Sequence, residues 1–279
     1  MPSKLTIGGQ AVIEGVMMRS TNKYAIAVRK PNKKISVKKF KLKDYPTLNK
    51  TPIIRGIFRF IETLSIGIKG ISYSANESTG EQDNINAWEI FFTLIISIGM
   101  TILLFYMAPL FLAKIITKDT GLLFNVIDGI LRLIIFIAYL LIIAQLPDIK
   151  RIFQYHGAEH MTVHAYENKE KLTIKNIKKY STLHPRCGTN FILIVFILSL
   201  LIFTMIPYRG YFFRLGTRLL LLPLIAGLSY EFLKFAGKYQ DNNFVKILTY
   251  PGLLLQKITT KKPEDKMIEV AIKSLKALI

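Results

Sequence analysis

Leu122-Leu-Phe-Asn-Val-Ile-Asp128-Gly-Ile-Leu-Arg132-Leu-Ile-Ile-Phe-Ile-Ala-Tyr-Leu-Leu-Ile-Ile-Ala-Gln-Leu146 is an apolar run interrupted by two charges. As a helix rising about 1.5 Å per residue, it is longer than the roughly 30 Å hydrocarbon layer of a bilayer. Asp128 and Arg132 are four apart, so helical geometry pairs them and makes both tolerable in an apolar setting. Residues 87–117, 190–206 and 217–236 form three further apolar blocks. The third block along the chain is short and is expected to stop at Pro207. The expected fold class is an α-helical membrane protein with four transmembrane helices.

Between these blocks the charge is overwhelmingly positive, and the 279-residue chain carries a net +20 although 51% of it is hydrophobic. Residues 1–86 hold 15 Lys and Arg, residues 147–189 hold 8, and residues 237–279 hold 8. The two remaining connectors, 118–121 and 207–216, hold three between them. Positive loops stay on the cytoplasmic side. The expected location is therefore the cell membrane, multipass, with both termini and the middle loop inside. An anionic inner leaflet is the partner that most of the basic charge serves, and a nucleic-acid partner is not required. The start, Met1-Pro-Ser-Lys-Leu-Thr-Ile-Gly8, lacks an apolar signal core. A lone Cys187 cannot form an internal disulfide.

Residues 1–50 read as a small β-rich cytoplasmic region. Strands are expected around the glycines of 5–18, and at Tyr24–Arg29 and 35–42 across a Lys-Pro-Asn-Lys-Lys turn. The last of these alternates apolar residues with Ser and Lys, as for one wet face. Residues 51–86 read as an amphipathic interfacial helix, opened by Pro52 and running to about 75, followed by a polar linker over 76–86. Residues 87–146 contain the first two spans, 147–189 a cytoplasmic His/Cys segment, 190–236 the last two spans, and 237–279 a cytoplasmic helical tail. That tail is expected to break at Pro251-Gly252 and restart at Pro263, with an apolar stripe of Met267, Val270, Ala271, Leu275 and Leu278.

All four histidines and the cysteine lie between His156 and Cys187. If His156-Gly-Ala-Glu159-His160-Met-Thr-Val-His164-Ala-Tyr-Glu167 is helical, the three histidines share one stripe, continuing an apolar face begun by Ile149, Ile152 and Phe153. His156 and His160 are one turn apart and can chelate one divalent ion, zinc being the expected cofactor. Glu167 is roughly 16 Å along the helix from His156, so the stripe serves two ions or is only partly used. Glu159 sits beside the pair, where a carboxylate can take a proton from metal-activated water, and His156-x-x-Glu159-His160 matches the H-x-x-E-H pattern of inverted zincins. A third ligand comes from the His184/Cys187 loop or from Glu231. His184 is placed ahead, because Glu231 can instead pair with Lys234. A structural zinc closed by Cys187 and three histidines uses the same residues.

Lesser signals surround this segment. Gly8-Gly9-Gln10 matches the tripeptide of peptide-release factors, but tight-turn glycines explain it more simply. Glu14, in an apolar setting, either joins the metal site from beneath or pairs with Arg19 or Arg55, and Arg186 is suited to anchoring the third span at the interface. Gly8-Gly9-Gln10-Ala-Val-Ile-Glu14-Gly15-Val-Met-Met-Arg19, His156-Gly-Ala-Glu159-His160 and His184-Pro-Arg186-Cys187-Gly188-Thr189 together resemble the YqhQ-like family of bacterial multipass membrane proteins. That resemblance implies a metal-dependent enzyme without a defined reaction. The expected function is a metal-dependent hydrolase at the cytoplasmic membrane face, acting on a peptide or amphiphilic substrate with Glu159 as catalytic base. Its rivals are a non-catalytic assembly scaffold with a structural metal and a basic platform for ribosomes or RNA.

Overall fold

The computed structural model describes residues 7–43, 45, 50–80, 87–118, 121–206, 210–239 and 242–279. Four antiparallel strands lie side by side in chain order: β1 (Gly8–Val12), β2 (Gly15–Arg19), β3 (Lys23–Arg29) and β4 (Ile35–Lys41). The period of two along a strand sends Val16, Met18, Ala25 and Ala27 to one face, and Met17, Tyr24, Ile26 and Val28 to the other. Both sets are buried, so the centre of the sheet is a filling between helices. Strand β4, at one edge, keeps the half-wet character that its Ser and Lys residues imply.

The longer helices among the described residues are α1 (Ile54–Thr79), α2 (Ala87–Ile102), α3 (Ala108–Ile116), α4 (Leu122–Ile143), α5 (Pro147–Glu167), α6 (Gly188–Thr204), α7 (Tyr211–Lys238), α8 (Asn243–Thr259) and α9 (Asp265–Lys276). One sheet face packs on α5 and α9, the other on α1 through Ile66 and Tyr73. The stripe Met267, Val270, Ala271, Leu275 and Leu278 of α9 is fully buried there. Helix α9 begins at Asp265 with Glu264 as its cap, two residues after Pro263. Helix α1 outruns its expected end at 75 and closes at Gly80, in the left-handed region with φ 74°; residues 81–86 of the expected linker lie outside the described residues. Its first turns cross α7 where Gly56 meets Gly227.

Among the described residues, three stretches are long and apolar enough to cross a bilayer: Phe91–Ile116, Leu122–Ile143 and Phe212–Lys238. The first joins α2 to α3 through a π-helical turn at Leu103–Met107, just before Pro109, whose missing N–H cannot serve a continuous ladder. Phe92, Ile96, Phe111 and Ile115 on this rod are more than half exposed, an apolar surface that water would not tolerate at this size. The fourth apolar helix, α6, has 17 residues, about 25 Å, and Pro207, where its block was expected to stop, lies outside the described residues.

Two departures concern where apolar runs end. Helix α7 starts at Tyr211, six residues ahead of the hydropathy boundary at 217, because backbone hydrogen bonds ignore an arginine whose side chain finds partners. Arg218, within the expected block, joins the expected Asp128–Arg132 pair: Asp128 Oδ2 accepts from Arg132 at 3.0 Å and from Arg218 at 2.8 Å. Helix α8 runs unbroken through Pro251-Gly252. Gly252 is needed there, since a Cβ would lie 2.1 Å from Asn190 Oδ1 on α6.

Candidate metal centre

Pro147 opens α5 in its first turn, where a missing N–H costs nothing. The helix then carries His156, Glu159, His160 and His164 into the space between the sheet and the loop that precedes α6. His160 and Glu159 are buried, and His156 and His164 partly so. A glycine in mid-helix is unfavourable by roughly 1 kcal/mol, yet Gly157 is required: a Cβ would sit 2.1 Å from the Lys261 carbonyl oxygen. The close approach lets Lys261 N–H donate to Phe153 O at 2.9 Å and sets the Thr259 carbonyl beside His156.

The ring protons of the histidines follow from their partners, because a carbonyl oxygen only accepts. His156 Nδ1 donates to Thr259 O at 2.9 Å, and His160 Nδ1 donates to Thr182 O at 2.5 Å. Each Nε2 therefore presents a lone pair, the orientation that metal-binding histidines receive from a second partner. Cys187 Sγ lies 3.3 Å from His156 Nε2, and the ligand atoms of His156, His160 and Cys187 all fall within 4.8 Å of one another. Tetrahedral zinc with bonds of about 2.0 Å to nitrogen and 2.3 Å to sulfur holds its ligand atoms roughly 3.3–3.6 Å apart. The three residues fit such an ion.

Cys187 caps α6 and accepts from Thr189 N–H at 3.3 Å. Burial pushes its thiol up, eased by those Thr189 contacts, and its Sγ donates to Thr189 Oγ1 at 3.4 Å. Burial, aided by His156, keeps His160 well below the ordinary histidine range and thus neutral. Glu159 Oε2 is 3.9 Å from His156 Nε2 and 3.8 Å from His160 Nε2. Burial raises its carboxyl to about 8, whereas an adjacent cation favours the carboxylate. Ile7, Gly8 and Gly9 wall a cavity of about 100 Å³ beside Glu159, His160 and Cys187. Gly9 admits the glutamate, since a Cβ there would come within 2.9 Å of Glu159 Cγ. The glycines of the Gly8-Gly9-Gln10 tripeptide thus belong to the wall of the centre.

The other candidate ligands have other partners, although His184 also lines the cavity beside Glu159, His160 and Cys187. His184, ranked as the third ligand from sequence, joins His164 and Glu167 in a second group. Arg186 N–H donates to His184 Nδ1 at 3.2 Å, which puts the ring proton on Nε2, 3.3 Å from Glu167 Oε2. Glu167 also pairs with the Arg186 guanidinium, and His164 Nε2 donates to Leu183 O at 2.9 Å. Burial lowers His184 to about 4 and also lowers His164. Glu231 is not at the centre: on α7 it is held by Arg55 in a two-point contact. Glu14 lies nearby but is taken by Arg151 at 2.6 Å and by the Tyr155 hydroxyl at 3.2 Å, rather than by Arg19 or Arg55.

Gln256 is a residue that sequence reasoning missed. Fully buried, it accepts from His184 N–H at 2.8 Å and donates to His184 O at 2.9 Å and to Asn190 Oδ1 at 3.0 Å. Asn190 in turn donates to Pro185 O at 2.6 Å. The loop carrying Cys187 is thus held from α8. A single amide within Leu253-Leu-Leu-Gln256 was the available signal. The carbonyls of Thr182 and Thr259 left none, since every residue has one.

A family model described as a protein of unknown function, DUF1385, matches residues 51–279. The uncharacterized protein YqhQ of Bacillus subtilis (strain 168) is 34% identical over 293 residues, covering 98% of this chain and 92% of that protein. No solved structure matches the chain. The family match begins at the α1 region, so the sheet that walls the centre is shared only in the comparison with YqhQ.

Proposed function

Since the chain belongs to the DUF1385 family, whose description carries no activity, we propose from the site itself a membrane-bound metal-dependent hydrolase. His156, His160 and Cys187 hold one divalent ion, zinc by the softness of the sulfur and the imidazoles, and Glu159 is the general base. The carrying observation is the pair of imidazoles whose Nδ1 protons are committed to Thr259 and Thr182, leaving both Nε2 lone pairs available, with His156 Nε2 3.3 Å from Cys187 Sγ. When bound, such an ion acidifies water and polarises a carbonyl or phosphoryl oxygen. Glu159 accepts the proton released, and its burial keeps that proton available for the leaving group. Gly8 and Gly9 leave room beside it for the reacting group.

The membrane arrangement in this reading has four spans, α2–α3, α4, α6 and α7, with the sheet, α5 and both termini inside. Support comes from the Lys and Arg of residues 1–86, 147–189 and 237–279. A second reading, a scaffold with a structural ion, is favoured by one distance: Glu159 lies within 4 Å of both Nε2 atoms, near enough to close the shell as a fourth ligand.

Metal content per chain in detergent-purified protein tests the proposal. Wild type is expected to hold about one zinc and a His156→Ala/His160→Ala variant none; absence from wild type after reloading with zinc, manganese or iron sinks the metal reading. Glu159→Gln separates enzyme from scaffold. As base, it keeps the ion but lowers turnover on a panel of peptide and phospholipid esters about 100-fold or more. As fourth ligand, it weakens the ion instead.

A further inference from the structure

A separate cavity of about 390 Å³ lies where the end of α4, the start of α5 and the end of α8 converge. Its apolar lining comes from Leu141, Ala144 and Ile258, and its charged lining is all of one sign, from Lys150, Lys257 and Lys261. No carboxylate lines the space; Asp148, two residues from Lys150, is outside it. Among the described residues, none of the three lysines is in an ion pair. Lys261 Nζ donates to the Lys257 carbonyl at 3.4 Å, a neutral acceptor that leaves the charge uncompensated and further N–H donors to spare. Like charges repel, and an anion among them turns that repulsion into attraction. Lys257 and Lys261 bracket Thr259, whose carbonyl faces His156 at 2.9 Å. The cavity thus adjoins the segment that supports the candidate centre without sharing its ligands.

We propose that this cavity seats the headgroup of one anionic diacyl phospholipid from the inner leaflet, its phosphate on the lysines and an acyl chain along α4. Helix α4 ends at Ile143, so Ala144 directly follows the apolar span, at the level where headgroups begin. Leu141 lines the cavity and is 47% exposed. Seven residues back, on the same stripe of the helix, Ile134 is 56% exposed, and Ala138 between them is exposed as well. An apolar track therefore leads from the lysines toward the bilayer centre. A soluble anion uses the lysines and leaves the track bare; a lipid uses both. Basic recesses between helices at the cytoplasmic face suit anionic headgroups in this way. Such a seat is distinct from the diffuse attraction that the remaining Lys and Arg exert on the leaflet. The inference rests on the four-span arrangement for its depth, and is independent of the metal and hydrolase readings.

The test is native mass spectrometry of the full chain in neutral detergent, titrated with dioleoyl phosphatidylglycerol and, separately, dioleoyl phosphatidylcholine. The first phosphatidylglycerol is expected to bind about ten-fold more tightly than phosphatidylcholine. Lys150→Gln/Lys257→Gln/Lys261→Gln is expected to erase that preference. Lys171→Gln/Lys175→Gln/Lys276→Gln, an equal loss of charge outside the cavity, is expected to keep it. Lys150→Gln alone, on α5, repeats the test with a smaller loss if the triple variant does not fold. Equal affinity of wild type for the two lipids overturns the seat and leaves the membrane reading standing; binding of neither overturns both. A preference kept in the folded cavity variant, or lost equally in the control variant, shows diffuse attraction and overturns the seat. Displacement of phosphatidylglycerol by millimolar inorganic phosphate overturns the lipid in favour of a soluble phosphate compound.

Discussion

Two groups of metal-capable side chains sit one helical turn apart on α5, and their surroundings make them opposites. In the first, His156 and His160 spend their Nδ1 protons on the carbonyls of Thr259 and Thr182, and His156 Nε2 lies 3.3 Å from Cys187 Sγ. In the second, Arg186 claims Glu167 with its guanidinium and His184 Nδ1 with its backbone N–H. Each group contains two histidines. Availability to an ion depends on the second partner of each ring, so the proposed reading gives the stripe one ion rather than two, with His164 held to Leu183 O.

The sharpest way to break this contrast is Cys187→Ala. Apparent zinc affinities of about 10–16 kcal/mol are shared among three or four ligands, so losing the sulfur is expected to weaken the ion ~10³-fold. Competition with a chelating dye reads this directly, and undiminished affinity would return His184 to the position of third ligand. Next is Gly157→Ala, whose Cβ meets the Lys261 carbonyl at 2.1 Å. Relief of that overlap moves residues 259–261 and withdraws the Thr259 acceptor from His156. A loss of about 3 kcal/mol in stability and about ten-fold in zinc affinity is expected, measured by denaturation and by the same dye competition.

Gln256→Ala tests the frame rather than the ligands. It strands His184 N–H and C=O in a buried setting, for about 2–3 kcal/mol of stability; a melting temperature equal to wild type would show that the Cys187 loop needs no support from α8. The smallest effect is assigned to His164→Ala, with zinc content unchanged and about 1 kcal/mol of stability lost with the Leu183 hydrogen bond. If zinc falls to half in His164→Ala, the second group holds an ion after all, and the contrast fails.

Much of this was open to inspection before any tertiary contact was known. The sheet, the apolar helices, the stripe of α9 and the placement of His156, Glu159 and His160 on one helix are periodicities of two and 3.6, which the order of residues carries by itself. The third ligand was different. His184, Cys187 and Glu231 are all acceptable by type, and which of them comes beside His156 and His160 depends on where α6 begins and on which cation each carboxylate meets. Arg55 took Glu231, Arg186 took Glu167, and Arg151 took Glu14.

Sequence alone determined the class of the molecule, its apolar helices and the segment where its chemistry is concentrated, because backbone geometry converts residue spacing into shared faces. Only the tertiary structure decided which faces meet. It set the sheet against α5 so that Gly9 abuts Glu159, brought the Thr259 carbonyl from 103 residues away to His156, and let Arg218 on α7 share Asp128 with Arg132. Each is a contact between distant segments fixed by packing, close approach and competition for partners, quantities that no local pattern contains.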